Sequence, residues 1–291
     1  MIGAVDYVRV TSVSEGCGLL RDHGGRAAVF AGGTDLLVNI RNGVLAPSVL
    51  VDIKGIAELT RWDLDLQKGL SIGACVPVEV IAQADVVRRG YRVLAEAVGA
   101  IGSHQIRNRA TIAGNLCNAS PATDSAPALL VLDARAVVAG PSGERTLAVH
   151  DLFLGPKKTA LRPGEILTTV VVPPTGPDVR TQFLKKRRVR GHDLATVSVA
   201  GYFDPVAGEL RVAIGSCGPT PILLPSLGEP VRPDDPLDEL AHDLNEIAQR
   251  AISPISDLRG SAEYRRSLVS VFVKRLLCAL LRGGEVGKGV R

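Results

Sequence analysis

The sequence predicts an α+β fold. A small α/β unit with parallel strands comes first, a mixed unit of sheet and helices follows, and a small α+β unit closes the chain of 291 residues. Three observations predict it. Helix, strand, helix and strand alternate before residue 57, an order that favours parallel pairing. Strand-like runs then recur from residue 58 between short helical stretches. Pro173-Pro174-Thr175-Gly176-Pro177 is the clearest linker in the chain, and a new pattern starts after it. The units are therefore expected at 1–57, 58–177 and 178–291.

In the first unit, residues 12–22 have helical character, with Gly24-Gly25 behind them. Residues 27–31, Ala-Ala-Val-Phe-Ala, form a short buried strand. Gly32-Gly33 breaks it, and Thr34 or Asp35 is placed to cap a helix through Leu36, Leu37 and Ile40 that ends at Asn42-Gly43. Val49 to Ile53 is a second strand. In the second unit Leu59 to Leu66 alternates in part, Leu70 to Ala74 is a strand, and Pro77 opens a helix near 78–84. Leu94, Ala97, Val98 and Ile101 mark a helix over 91–101. Residues 126–132 form a short apolar helix. Residues 136–139 and 146–149 form a hairpin about Pro141-Ser142-Gly143, and 167–172 is a strand. In the third unit, 196–203 and 210–214 alternate about Asp204-Pro205 and Gly208, as in an antiparallel hairpin. A Pro-rich loop over 218–236 leads to two helices. The last, about 261–281, sets Leu268, Val271, Phe272, Leu276 and Leu280 on one face. The tail beyond Gly283 is expected to be disordered.

Composition narrows the function. Hydrophobic residues make up 46% and aromatics only 3%, so the core rests on Leu, Val, Ile and Ala. A net charge of +4 is too small to argue for nucleic acid, and so few aromatics make a poor stacking platform for single strands. No window approaches ~18 uninterrupted apolar residues, so no membrane span is expected. The first residues lack the basic start and apolar run of a secretory signal. Cys17, Cys75, Cys117, Cys217 and Cys278 are scattered without Cys-x-x-Cys spacing, which leaves neither a zinc nor an iron–sulfur site and reads as reduced thiols of a cytoplasmic protein. The histidines share no ligand spacing, so no metal site is expected.

The chemistry concentrates in two segments. Residues 111–124, Thr-Ile-Ala-Gly-Asn-Leu-Cys-Asn-Ala-Ser-Pro-Ala-Thr-Asp, are small, hydroxylated or amidated, which predicts a poor core element. They can bring several N–H groups, hydroxyls and amides onto a polar ligand, with Thr111, Asn115, Ser120, Thr123 and Asp124 as candidate contacts to phosphates or sugar hydroxyls. The alternative is a loop capped by its own Asx and Ser/Thr side chains. Ala31-Gly32-Gly33-Thr34-Asp35-Leu36 has the same character. A strand, a Gly-Gly turn and a helix start suit phosphate, although they also suit an ordinary strand–helix turn. The G-x-G-x-x-G fingerprint is absent, which excludes the usual dinucleotide site. Together the segments suggest one extended phosphorylated ligand held from two sides.

Several stretches, in one order along nearly the whole chain, carry a family resemblance. They are Ala-Gly-Gly-Thr-Asp-Leu-Leu at 31–37, Ile106-Arg107-Asn108-Arg109-Ala110 running into Thr-Ile-Ala-Gly-Asn at 111–115, Ser-Pro-Ala-Thr-Asp at 120–124, and Pro163-Gly164-Glu165-Ile166-Leu167. Arg190-Gly191-His192-Asp193-Leu194-Ala195 and Ser261-Ala262-Glu263-Tyr264-Arg265-Arg266 complete the set. With these the chain resembles the FAD-binding medium subunit of the molybdenum hydroxylases, the group of xanthine dehydrogenase, carbon monoxide dehydrogenase and aldehyde oxidoreductase. The resemblance implies a two-subdomain FAD-binding fold of the vanillyl-alcohol oxidase / p-cresol methylhydroxylase type, with FAD between the subdomains, plus a small α+β C-terminal domain. It implies that Ala31, Gly32, Gly33, Thr34, Asp35 and Leu36, with Thr111, Ala113, Gly114 and Asn115, wrap the FAD pyrophosphate. Ser120, Thr123 and Asp124 would meet the polar chain of the cofactor, and Ile101, Leu167 and Lys185 the adenine or isoalloxazine. It further implies a subunit of an oxidoreductase that takes electrons from 2Fe-2S clusters on a small subunit, fed by a molybdenum-cofactor large subunit, and passes them to NAD+, oxygen or another acceptor. The assembly would be a dimer of heterotrimers.

Two departures stand out. The family often has Gly-Gly-Asn where this chain has Ala113-Gly114-Asn115, and an Ala fits unless the backbone there needs positive φ. An early family Pro is replaced by Val10. The basic run Lys185-Lys186-Arg187-Arg188-Val189-Arg190 precedes an expected strand. It can be read as a solvated face, a nucleic-acid patch, or a row shared between cofactor and partner. A free-standing FAD oxidase is the alternative function, although the C-terminal unit is small and poor in acid/base residues for a substrate domain.

Overall fold

Runs of buried Val and Leu build the first sheet. In the computed structural model, which describes residues 5–189 and 191–283, β1 (Asp6–Arg9) leads through α1 (Val13–His23) to β2 (Ala27–Phe30). From there α2 (Leu36–Arg41) leads to β3 (Val49–Asp52). The order is β1-β3-β2, all parallel, as the alternation of helix and strand requires. β3 is central because all four of its residues are buried. Ser12 Oγ caps α1 by accepting the Glu15 N–H, and Gly43 follows α2 at φ 71°. β1 is an addition to the expected elements. Its pattern is mostly exposed, so only its pairing with β3 defines it.

The second sheet collects β4 (Trp62–Asp65) and β5 (Gly69–Gly73) from one side of a helical excursion. The excursion comprises α3 (Val78–Gln83), α4 (Asp85–Gly90), α5 (Arg92–Gly99), α6 (His104–Arg107), α7 (Ile112–Cys117) and α8 (Ser125–Val131). Then follow β6 (Arg135–Gly140), β7 (Gly143–Ala148), the small hairpin β8 (Phe153–Gly155) with β9 (Lys158–Thr159), and β10 (Ile166–Val172). The sheet runs β4-β5-β10-β6-β7, antiparallel throughout. Two expectations change here. The helix expected over 91–101 stops at Gly99, because Ala100 closes it and Gly102 turns left-handed at φ 48°. Residues 111–124 are not a core-free loop. They contain α7, whose Ile112, Ala113 and Leu116 are buried on the face turned to β10.

The third sheet, β11 (Arg180–Lys186), β12 (Val197–Asp204), β13 (Glu209–Gly215) and β14 (Ile222–Leu223), is antiparallel in that order. The expected hairpin is β12–β13. The strand β11 was hidden in the sequence, and it absorbs Lys185 and Lys186 from the basic run. Side chains alternate between two layers, as the pleat demands. Phe183, Ala200 and Tyr202 join the core shared by the first two units, while Val197, Val199 and Phe203 join α9 (Leu237–Ala251) and α10 (Ala262–Arg282). α10 lies so close that a Cβ on Gly201 would sit 2.7 Å from Leu276. Leu276 and Leu280 of α10 are buried as expected, but Val271 is 43% exposed, and Val269 and Val273 occupy the face instead. Burying each such side chain contributes about 1.5–3 kcal/mol. No described helix is long and apolar enough to cross a membrane. The tail beyond Gly283 and Arg190 of the basic run lie outside the described residues.

Candidate functional site

The two polar segments meet through backbone alone. A Cβ on Gly32 would sit 2.1 Å from the Arg109 carbonyl oxygen and 3.1 Å from Ala110 Cα, so only glycine lets the turn after β2 pass this close to residues 109–110. Gly33 takes φ 76° above the Phe30 ring, and Lys54 Nζ lies 3.8 Å from the centroid of that ring. Asp35 stands at the start of α2 but accepts no capping bond, contrary to the expected cap. The N–H groups of Thr34, Asp35 and Leu36 donate to no backbone acceptor among the described residues. Leu36 is half-buried beneath them.

On the other segment Thr111 Oγ1 accepts the Gly114 N–H at 3.0 Å and caps α7. Gly114 gives that fit room, since a Cβ there would meet Thr111 Oγ1 at 3.0 Å. Ala113 is helical and buried, so no positive φ is required where the family often has Gly. The other departure has a reason too: the Val10 N–H donates to Asp52 O at 3.0 Å, a bond that Pro would lose. Asn115 Oδ1 accepts from Ser125 Oγ at 2.7 Å, and Ser120 Oγ accepts the Ala122 N–H at 3.3 Å.

The charged end of the site joins the second and third units. Lys185 on β11 pairs in register with Ser198, and Ser198 with Gly215, which sets a row across the sheet. Lys185 Nζ reaches Asp124 Oδ2 at 2.6 Å and donates to Ala100 O at 3.0 Å. Both side chains are almost fully buried, at 5% and 6% exposure. Burial pushes the Asp124 carboxyl up to about 6; the nearby Lys185 charge opposes this without reversing it. Burial also lowers the Lys185 ammonium. Asp124 Oδ1, Thr123 Oγ1, Ser198 Oγ and Ser216 Oγ are buried with no hydrogen-bond partner. Unmatched buried oxygens are costly, and two of these, on Thr123 and Asp124, belong to the segment 111–124.

Ile101 is buried, and its carbonyl accepts from Arg107 Nη1 at 3.3 Å. Leu167 on β10 pairs with Val138 and lies in the main core, on the strand against which α7 packs. Arg107 also donates through Nε to Glu79 Oε2 at 2.5 Å. Burial pushes the Glu79 carboxyl up, but bonds from Arg107 and Gln83 and the charges of Arg107 and His104 hold it below the usual range. Glu79 does not stand out in the sequence, and Arg107 does so only within the stretch 106–110, because the two partners lie 28 residues apart. The basic run is mostly consumed internally. Lys185 is paired as above, Arg187 donates to Gly191 O at 2.7 Å, and Arg188 pairs with Asp193 at 3.1 Å. Among the described residues no group of three or more acid, His or Cys side chains is placed to hold a metal ion.

Adjoining backbone turns, a capped helix and a buried acid with a free oxygen define a binding domain for an extended polar cofactor. Comparison identifies which. Residues 3–175 match the FAD binding domain in molybdopterin dehydrogenase, and residues 182–280 match the CO dehydrogenase flavoprotein C-terminal domain. The chain therefore belongs to the FAD-binding medium subunits of the xanthine dehydrogenase and carbon monoxide dehydrogenase family, which are oxidoreductase subunits with FAD as cofactor. It is 31% identical to the glyceraldehyde dehydrogenase medium chain of Sulfolobus acidocaldarius over 92% of this chain and 95% of that protein. It is 29% identical to the xanthine dehydrogenase FAD-binding subunit of Escherichia coli O157:H7, over 95% and 96%. Among solved structures, carbon monoxide dehydrogenase from Hydrogenophaga pseudoflava superposes with a TM-score of 0.90 at 28% identity, over 97% of this chain and 99% of that chain.

Proposed function

We propose that this chain is the electron-transfer flavoprotein subunit of a molybdenum-containing hydroxylase or dehydrogenase. Its partners are a molybdenum-cofactor large subunit and a 2Fe-2S small subunit in a dimer of heterotrimers, located in the cytoplasm. The complex hands electrons from the partner's clusters to NAD+, oxygen or another acceptor at this subunit. Bound FAD supplies a centre able to take electrons singly and release them in pairs. The N–H groups from Gly32 to Leu36 and those of Ile112 and Ala113 at the start of α7 hold its diphosphate, with Ala31 ending the strand that presents the first set, and Thr111 fixing the second turn by accepting the N–H groups of Gly114 and Asn115. Ser120, Thr123 and Asp124 hold the polar chain, and Ile101, Leu167 and Lys185 border the ring systems. Residues 1–57 and 58–177 serve as the two FAD subdomains, and 178–291 as the C-terminal domain.

The observation that carries this reading is the contact of Gly32 with Arg109 and Ala110, which joins both proposed diphosphate loops at one place. The test is native purification of the complex. A yellow preparation that keeps FAD and contains molybdenum and iron in the same particle supports it. Colourless material that refuses added FAD overturns the cofactor site, and a yellow monomer without metal-bearing partners overturns the assembly.

A further inference from the structure

Two ion pairs converge from opposite sides on one turn, residues 100–103. Ala100 closes α5, Gly102 turns at φ 48°, where a Cβ would meet Ile106 at 2.9 Å, and Ser103 Oγ accepts the Ile106 N–H at 3.3 Å to start α6. From one side Lys185, paired with Asp124, donates to the Ala100 carbonyl at 3.0 Å. From the other, Arg107, paired with Glu79, donates to the Ile101 carbonyl at 3.3 Å. Glu79 is steadied again by Gln83 Nε2 at 3.0 Å, and His104 Nδ1 lies 3.2 Å from the same oxygen. Consecutive carbonyls of one turn thus each receive a cation, and each cation is aimed by a carboxylate. The two cations add one further bond to each carbonyl.

We propose that Glu79 and Arg107 are positioning residues for the flavin ring. They fix the Ile101 turn through the Arg107–carbonyl bond, and thereby set how tightly the cofactor binds and how readily it accepts an electron, without touching it. This rests on the reading of Ile101 and Lys185 as ring-bordering residues, taken at the isoalloxazine rather than the adenine. The pair is internally neutral, so removing either member leaves a net charge of opposite sign beside the turn. Glu79→Gln leaves Arg107 positive and favours an added electron, whereas Arg107→Met leaves Glu79 negative and opposes one.

The test uses the full chain in its complex, as wild type, E79Q, R107M and R145M. Arg145 pairs with Glu165 through two bonds, at 2.8 and 2.7 Å, and serves as the control for simple loss of an ion pair. FAD affinity is read by titrating the deflavinated protein, and the flavin midpoint potential by redox titration. E79Q and R107M each weaken FAD binding about tenfold. E79Q raises the potential and R107M lowers it, while R145M leaves both readings at wild type. Unchanged affinity and potential in E79Q and R107M, or shifts of one sign in both, overturn the inference. If R107M does not fold, the sign of the E79Q shift decides. A wild-type protein that binds no FAD overturns the cofactor reading instead, and is told apart by failing before any variant is compared.

Discussion

Asp124 and Asp257 each sit beside a buried cation, and their protons behave in opposite ways. At Asp257 burial pushes the carboxyl up, but the Arg259 amide at 2.8 Å and the guanidiniums of Arg259 and Arg265 outweigh it and hold the group at about 2. Arg265, itself 2% exposed, continues to the carbonyls of Thr196 and Ser216 at 2.8 Å each and ties α10 to the ends of β12 and β13. At Asp124 one ammonium meets one oxygen, the other oxygen meets nothing, and burial wins, leaving the carboxyl at about 6. The first acid has both oxygens bonded, and in its cluster Arg265 Nε is left without a partner. The second, at the proposed FAD site, has one oxygen unbonded, and what it lacks is what a hydroxyl-bearing cofactor provides.

The contrast fixes opposite pH responses. Asp257 is depressed, so its stabilisation is present above its unfolded value of 3.8 and is lost as pH falls toward about 2. Asp124 is raised, so its contribution is present below 3.8 and is lost as pH rises through about 6. The largest expected effect follows from breaking the Lys185–Asp124 pair. Lys185→Met leaves a buried carboxylate alone and lowers stability by about 3–5 kcal/mol at pH 8, and by clearly less at pH 5, where Asp124 can take a proton. Urea unfolding at both pH values checks it, and equal penalties would break the comparison. Arg265→Met costs about 3 kcal/mol, and that penalty is the same at pH 5 and pH 8, because Asp257 stays ionised throughout. Gly32→Ala forces a Cβ onto the Arg109 carbonyl and weakens FAD binding about thirtyfold, or about 2 kcal/mol, by titration of the deflavinated chain. Thr111→Ala removes the cap of α7 and lowers the unfolding free energy of the FAD-free chain by about 1 kcal/mol.

Much of the scaffold could be read from the sequence because its pattern is local. Val49 to Val51 show as a buried strand from their own side chains, and β12–β13 from alternation about Asp204-Pro205 and Gly208. β11 could not be read this way. Its Arg-Thr-Gln-Phe-Leu-Lys-Lys has one buried apolar residue, Phe183, and its polarity reflects a strand that carries the buried Lys185–Asp124 pair. α7 was obscured for a related reason: Ile112, Ala113 and Leu116 form a helical face, but the small polar residues between them set the overall character of the segment. At the site, the two glycine-bearing segments are visible as motifs, whereas their contact at Arg109 is not. Arg107–Glu79 and Lys185–Asp124 join residues 28 and 61 positions apart, which no periodicity encodes.

The most direct measurement of the central claim is FAD affinity and unfolding free energy, taken together, for Thr123→Val in the full-length protein. Thr123 Oγ1 is buried without a partner, and valine keeps its shape. The FAD-free protein should be as stable as wild type or more so, because an unsatisfied hydroxyl is gone, while FAD binding weakens about tenfold. Wild-type FAD affinity in this variant would contradict the account, since the unmatched oxygens beside Asp124 would then have no part in holding the cofactor.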